Sequence, residues 1–162
     1  MNNTNQYIPD GDVTCILTRS GKLITIDTEV VEIVKEFTWC VTGTGYAMSR
    51  TKGPAVLMHR LITGAGPGEF VDHINGDGLD NRRANLRICR KQQNEFNTKR
   101  RSDNTSGFRG VCRARGRKFR AYIVKDGRQY NLGHFDNPVE AAKAYNEKAR
   151  ELFGEFARLN PV

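Results

Sequence analysis

Alternation of apolar and polar positions begins at Val13. Val13, Cys15 and Leu17 alternate with polar residues, Ser20-Gly21 supplies a turn, and Leu23, Ile24 and Ile26 resume the run. A two-residue period on both sides of a turn predicts strand, turn, strand over Val13–Ile26. Upstream, Met1 to Asp10 is polar and reads as a disordered end. Asp27 or Thr28 is placed to cap a short helix through Val34. Thr38–Val41 and Tyr46–Ser49 predict a further strand pair around Gly43 and Gly45. Leu57–Ile62 then leads through the Gly64–Gly68 breaker stretch to Val71.

From Val71 the pattern changes. A short apolar start meets Asn75-Gly76-Asp77-Gly78, a dense turn signal. Asp80 or Asn81 can cap a helix containing Arg83, Ala84 and Leu86, and a second helical stretch is expected through Gln92 to Phe96. Thr98–Ser106 is polar, basic and rich in breakers, which is the composition of a linker. Beyond it, Phe108–Arg113, Lys118–Val124 and Gln129–Phe135 alternate as three short strands. Turns fall at Gly116 and at Asp126-Gly127, the latter a strong hairpin signal. Asn137, Pro138 and Glu140 make a helix start, Ala142, Tyr145, Ala149, Leu152 and Phe153 form an apolar stripe, and Gly154 ends it. The expected class is α+β: an N-terminal β-rich region leading into a compact finger, then a small three-stranded antiparallel sheet packed on one helix. The expected domains are 1–97 and 107–162, joined by a linker over 98–106.

Composition favours two small domains over one large one, since 38% of the 162 residues are hydrophobic. Charge is distributed unevenly. Residues 1–97 hold 11 Lys+Arg against 11 Asp+Glu, and residues 98–162 hold 15 against 7, so the second part carries the whole net +8. An acidic polymer is therefore expected to be held mainly by the C-terminal part. The four cysteines, Cys15, Cys40, Cys89 and Cys112, form no Cys-x-x-Cys pair and argue against a zinc ribbon. With no signal peptide ahead of them, they are expected as free thiols in a reducing cytosol. No apolar run approaches the ~18 residues that would span a bilayer.

The segment richest in chemistry is Val71-Asp72-His73-Ile74-Asn75-Gly76-Asp77-Gly78-Leu79-Asp80-Asn81-Arg82-Arg83-Ala84-Asn85-Leu86-Arg87. A calcium loop fails on ligands: with Asn75 and Asp77 at its third and fifth positions, His73 falls first and Ala84 twelfth, where an acid and a Glu are needed. Phosphodiester hydrolysis fits better. It needs a hard cation on oxygen ligands and a base to activate water. Adjacent residues on a regular strand point to opposite sides, so one of Asp72 and His73 can hold metal while the other faces water. Histidine suits the base because its pKa lies near neutrality. Asn94 is the polar candidate for a second oxygen ligand. Asp77, Asp80 and Asn81 read as turn and cap residues rather than ligands. Asn97 reads as a helix-end residue, His59 as either a phosphate contact or structural, and His134 as structural.

Asp72-His73-Ile74-Asn75-Gly76-Asp77, Asp80-Asn81-Arg82 and Asn85-Leu86-Arg87 together resemble the HNH homing endonucleases of phages and introns, with their ββα-metal finger. Leu57-Met58-His59-Arg60-Leu61-Ile62 is similar to the family's lead-in. The resemblance covers about residues 55–97 well and 10–54 loosely. It implies that Asp72 is the first metal ligand and His73 the general base. Asn85, twelve residues on, is implied to brace the loop and orient the base. Asn94, nine further, is implied to be the second metal ligand, in an H-N-N variant of the motif. An amide oxygen there favours Mg2+ or Mn2+ over zinc.

In the C-terminal part, Phe119, Ala121 and Ile123 share one strand face, and Lys118, Arg120 and Tyr122 the other. The apolar face suits a helix, and the basic, aromatic face suits a DNA groove. Gly107-Phe108-Arg109-Gly110-Val111, Asn131-Leu132-Gly133-His134-Phe135-Asp136, Glu140-Ala141-Ala142-Lys143-Ala144-Tyr145 and Leu152 through Asn160 resemble the plant ethylene-response-factor (AP-two) DNA-binding domain. By position, that resemblance puts Arg109, Arg113, Arg115, Lys118, Arg120, Tyr122, Gln129 and Asn131 on or near DNA-contacting strands. Asn131 replaces a common Trp and Tyr122 an acidic residue, so the family's base preference does not carry over. The combined expectation is a metal-dependent, site-specific DNA endonuclease of homing type. It would act on double-stranded DNA, as a monomer or dimer, in the cytoplasm of a phage-infected bacterium. The competing expectation is a non-catalytic DNA-binding regulator derived from such a nuclease.

Overall fold

The computed structural model describes residues 5–90 and 106–162. The chain divides into two compact units, Met1–Asn94 and Glu95–Val162. The first opens with an antiparallel meander of β1 (Gln6–Asp10), β2 (Val13–Leu17) and β3 (Leu23–Asp27). The expectation of a disordered start is corrected at Gln6–Asp10, which pairs along β2. Two ties hold this end. Tyr7 packs on the core, and Asn5 clamps the Trp39 backbone, accepting from its N–H at 2.7 Å and donating to its carbonyl at 3.0 Å.

The parity of β2 is also the reverse of the apolar alternation. Thr14 and Ile16 face the core, opposite Ile26 and Ile24, while Val13, Cys15 and Leu17 are only half-buried. The inward Thr14 is tolerated because its hydroxyl meets that of Thr28 at 3.0 Å. The core continues through Val30, Val34, Trp39, Ala47, Met58, Ile62 and Leu86. A 3-10 turn over Thr28–Val30 runs into the short helix α1 (Val31–Val34), and Trp39 closes that helix by donating Nε1–H to the Val34 carbonyl at 2.9 Å. Asp27 precedes the turn without capping it by its side chain.

A second small sheet, β4 (Cys40–Val41), β5 (Ala47–Ser49) and β6 (Val56–Leu57), leads into helix α2 (Met58–Thr63). The finger itself is an antiparallel pair, β7 (Phe70–His73) and β8 (Leu86–Cys89). The helix expected around Arg83–Leu86 is therefore corrected to a 3-10 turn, Arg83–Asn85, followed by a strand. Pairing with β7 overrides helical spacing there, because it buries Leu86 and Cys89 while Ile88 stays outside. The stretch expected as helix through Gln92 to Phe96, and most of the expected linker, lie outside the described residues.

The second unit has a three-stranded antiparallel sheet, β9 (Val111–Arg113), β10 (Phe119–Lys125) and β11 (Arg128–Phe135), with β10 central. Asp126 and Gly127, both at positive φ (52° and 73°), turn the β10–β11 hairpin. Helix α3 (Pro138–Phe153) starts where Asn137 accepts from the Val139 N–H at 2.8 Å. Ala141, Ala142, Tyr145 and Ala149 are buried against Val111, Ala121 and Ile123 of the sheet. The alanines let helix and sheet approach closely, and Gly110 (φ 67°) is needed for the same reason: a Cβ there would lie 2.1 Å from the Tyr145 ring.

Candidate active site

β7 ends on two buried polar residues, Asp72 (5% exposed) and His73 (4% exposed). Their cross-strand partners on β8 differ in kind: Arg87 opposite Asp72, Leu86 opposite His73. Arg87 donates Nε–H and Nη2–H to the Asp72 Oδ2 at 2.8 and 2.6 Å. This pairing sets a guanidinium against a buried carboxylate with two charge-assisted hydrogen bonds.

The segment between the strands is knotted by asparagine and aspartate. Asn85 accepts from the Asn75 N–H at 3.0 Å and donates Nδ2–H to Asn75 Oδ1 and to the Asp80 carbonyl at 3.0 and 2.8 Å. Asp80 accepts from Asn75 Nδ2 and from the Arg82 guanidinium, whose hydrogen bonds, ahead of its charge, hold the carboxyl below the usual carboxylate range. Asn85 thus braces the loop, and its side-chain hydrogen bonds run to Asn75 and Asp80 rather than to the His73 ring. That ring instead meets Asn81, fully buried, with Nε2 to Oδ1 at 3.3 Å. Sequence reasoning took Asn81 for a turn residue. Its position in a polar loop carries no mark separating it from Asp80 or Asn75.

The loop is stitched to the N-terminal meander. The Thr25 N–H donates to the Leu79 carbonyl at 2.8 Å, the Asn81 N–H donates to the Thr25 carbonyl at 2.7 Å, and Thr25 bridges Asp80 in parallel register. Asp27, free of capping duty, accepts from the Arg83 N–H at 2.7 Å. On its other side the loop presses on the β4–β5 hairpin at Gly78, where a Cβ would lie 2.4 Å from the Gly45 carbonyl oxygen and 2.8 Å from the Tyr46 ring.

Tyr46 and His59 complete the surroundings of His73, with ring centroids 5.8 and 5.1 Å from it and 5.5 Å from each other. His59, on α2, is buried, and its Nδ1 has no hydrogen-bond partner among the described residues. Burial, then the neighbouring His73 and Arg60, push its pKa down to about 4. Burial also lowers the His73 pKa, against the opposing pull of Asn81 and the nearby carboxylates. Both rings are therefore neutral at pH 7, and a neutral imidazole can accept a proton. Tyr46 gave no sequence signal beyond lying in a strand.

Donor chemistry at Asp72, a carboxylate oxygen, suits a hard cation. Among the described residues no group of three or more His, Cys, Asp and Glu side chains is placed to hold an ion. An ion on Asp72 would complete its shell from amide, phosphate and water oxygens, as magnesium commonly does. Asn94, the expected amide ligand, lies outside the described residues.

In the second unit the strand register sorts the eight expected DNA contacts. Residues directly opposite in an antiparallel pair share a face. Arg120 pairs with Cys112 and His134, Tyr122 with Asn131, and Val124 with Gln129, so these seven form the face away from α3. The Arg120 guanidinium lies 5.4 Å from the Tyr122 ring centroid. Arg113 pairs with Phe119 on the opposite face and covers its ring at 5.8 Å. Arg115 is exposed in a 3-10 turn, Arg115–Arg117, and Lys118 approaches Asp136 at 3.6 Å. Arg109 is tied through its backbone to Asn160 and its guanidinium is half-buried by Tyr145, with its pKa lowered mainly by burial. His134, expected to be structural, is exposed on the outer face.

The HNH endonuclease family matches residues 56–96, the segment from β6 through the finger. An uncharacterised HNH endonuclease of Acanthamoeba polyphaga mimivirus is 35% identical over 136 residues, covering 80% of this chain and 70% of that protein. Protein 3.8 of Escherichia phage T7 is 35% identical over 92 residues, covering 56% of this chain and 75% of that protein. No solved structure matches. The chain belongs to the HNH endonuclease family. Membership points to a nuclease with DNA as substrate and, as is general in the family, to dependence on a divalent metal ion. No helix among the described residues is long and apolar enough to cross a membrane.

Proposed function

We propose that this protein is a site-specific DNA endonuclease of homing type, in which His73 activates water and the outer face of the C-terminal sheet holds the duplex. The observation that carries the reading is a histidine kept neutral by burial beside a buried carboxylate at the end of one strand. In this reading His73 takes the proton of a water whose oxygen attacks phosphorus, and the P–O3′ bond breaks. The products carry a 5′ phosphate and a 3′ hydroxyl. Asp72 and Asn94 would hold a magnesium or manganese ion, which when bound stabilises negative charge on the phosphate and the departing oxygen. Asn85 keeps the loop between β7 and β8 in shape.

Arg120, Tyr122, Gln129 and Asn131 offer a cation, a stacking ring and two amides on one exposed face, the mixture suited to a DNA groove. With Arg115 and Lys118 toward its edges, this face would supply most of the phosphate attraction, consistent with the +8 charge residing in this half. Arg113, paired with Phe119, lies on the opposite face, and Arg109 is half-buried, so neither belongs to the proposed contact surface. Similarity to the ethylene-response-factor domain supports the same role.

The test is cleavage of a supercoiled plasmid library with randomised inserts, in magnesium, by wild type and His73→Ala. Wild type is expected to nick or linearise a subset of plasmids. Loss of the general base is expected to slow that reaction by about 10²- to 10⁴-fold while DNA affinity is retained. No cleavage of any library member, or equal cleavage by the variant, would defeat the proposal.

A further inference from the structure

We infer that Asn81, rather than the motif residue Asn85, is the positioning residue for His73: it holds the ring in the tautomer with hydrogen on Nε2 and the lone pair on Nδ1. The inference rests on His73 being the base. Its footing is the hydrogen-bond inventory of one amide. Asn81 Oδ1 lies 3.3 Å from His73 Nε2, and Asn81 Nδ2 lies 3.4 Å from the Gly78 carbonyl oxygen. Flipping the amide would set Oδ1 against that carbonyl, two acceptors face to face, so the orientation is fixed by Gly78. An amide oxygen can only accept. Nε2 must then carry the hydrogen, and a neutral imidazole has only one, which makes Nδ1 the proton acceptor. Both contacts are long, as base-orienting contacts often are before substrate binds.

Asn81 can impose this because it cannot move. Its side chain is fully buried, and its own N–H is spent on the Thr25 carbonyl at 2.7 Å. Thr25 in turn holds Leu79, so β3 grips the chain two residues before Asn81 and at Asn81 itself. The labour is divided between two asparagines: Asn85 shapes the loop, and Asn81 uses that shape to set the ring.

The experiment is 15N NMR of the full-length protein with labelled histidine, above pH 8, where the ring is neutral. His73 is expected to show its lone-pair signal on Nδ1 and its N–H on Nε2. The reverse assignment in wild type overturns the inference without recourse to any variant. Asn81→Leu, close in size but without an acceptor, is expected to populate both tautomers and to lower kcat on the plasmid library. The loss should fall between about 10-fold and the ~10⁴-fold known for a base held in the wrong tautomer. If Asn81→Leu is folded and changes neither tautomer nor kcat while His73→Ala still abolishes cleavage, the inference fails and the nuclease reading stands. If wild type never cuts, the nuclease reading fails although the tautomer is still measured.

Discussion

The two units of this protein solve opposite problems. The first buries its polar groups: Asp72, His73, Asp80, Asn81 and Asn85 are all under 10% exposed, in a half of the chain whose charges balance. The second leaves the residues proposed to meet DNA outside and buries alanines. Arg120, Tyr122, Gln129 and Asn131 stand on a sheet face whose other side packs on Ala141, Ala142 and Ala149. Chemistry on a phosphodiester needs side chains held in one protonation state and one orientation, which a dry, cross-linked loop provides. Holding a polyanion needs accessible charge, for which burial would be a cost. The lesson is that polar residues have to be weighed by where they are kept.

Two glycines test the contrast most severely. Gly78→Ala places a Cβ 2.4 Å from the Gly45 carbonyl oxygen, and Gly110→Ala places one 2.1 Å from the Tyr145 ring at a φ of 67°. Overpacking is expected to cost about 1–3 kcal/mol at Gly78, and backbone strain brings the cost to roughly 2–6 kcal/mol at Gly110. Gly78→Ala should damage cleavage before DNA affinity, and Gly110→Ala affinity before cleavage of saturating DNA. Circular dichroism melts with separate binding and cleavage assays would check this. Both variants losing both activities equally would break the comparison.

Acid should act on the first unit. The folded His59 pKa is pushed to about 4, below its unfolded value near 6.5. The unfolded chain therefore takes up a proton first, and stability falls as pH drops from about 6.5 through 4. Asp80, lowered by Arg82, adds a loss in the same direction at lower pH. Thermal melts between pH 7 and 4 should show Tm falling, and His59→Phe should flatten the upper part of that fall. An unchanged slope in the variant would sink the assignment to His59.

The smallest effect is expected on the outer sheet. Arg120→Ala should weaken duplex binding about 10-fold and lower the slope of log affinity against log salt by about 1. kcat at saturating DNA should be unaltered. Equal affinity and slope would mean that this face does not meet phosphate.

What could be read in advance divides along similar lines. Local signals held: Asp126-Gly127 turns a hairpin, and Asn137-Pro138 starts a helix, because turn and cap chemistry act within a few residues. Signals that depend on distant partners misled. Val13, Cys15 and Leu17 look like a core face, yet Ile16 is the residue that Ile24 pairs with and buries. Leu86–Cys89 has helical spacing but is a strand because β7 lies beside it. In the candidate site, Asp72, His73 and Asn85 stand out by motif. Asn81, Tyr46 and His59 matter through neighbours that no spacing rule reveals, and Arg87 through a partner fifteen residues away.

The stitch between Thr25 and the residues from Leu79 to Asn81 has a bearing on inheritance. The family match begins at residue 56, yet the strand that grips the loop between β7 and β8 is Leu23–Asp27, in a meander that begins at Gln6. The finger is thus a poor cassette. Moved between proteins without its meander, it would carry every motif residue and still lack the splint that keeps Asn81 in place. Recombination that shuffles such nucleases should therefore find a viable crossover downstream of the finger far more readily than one between Asp27 and Val56.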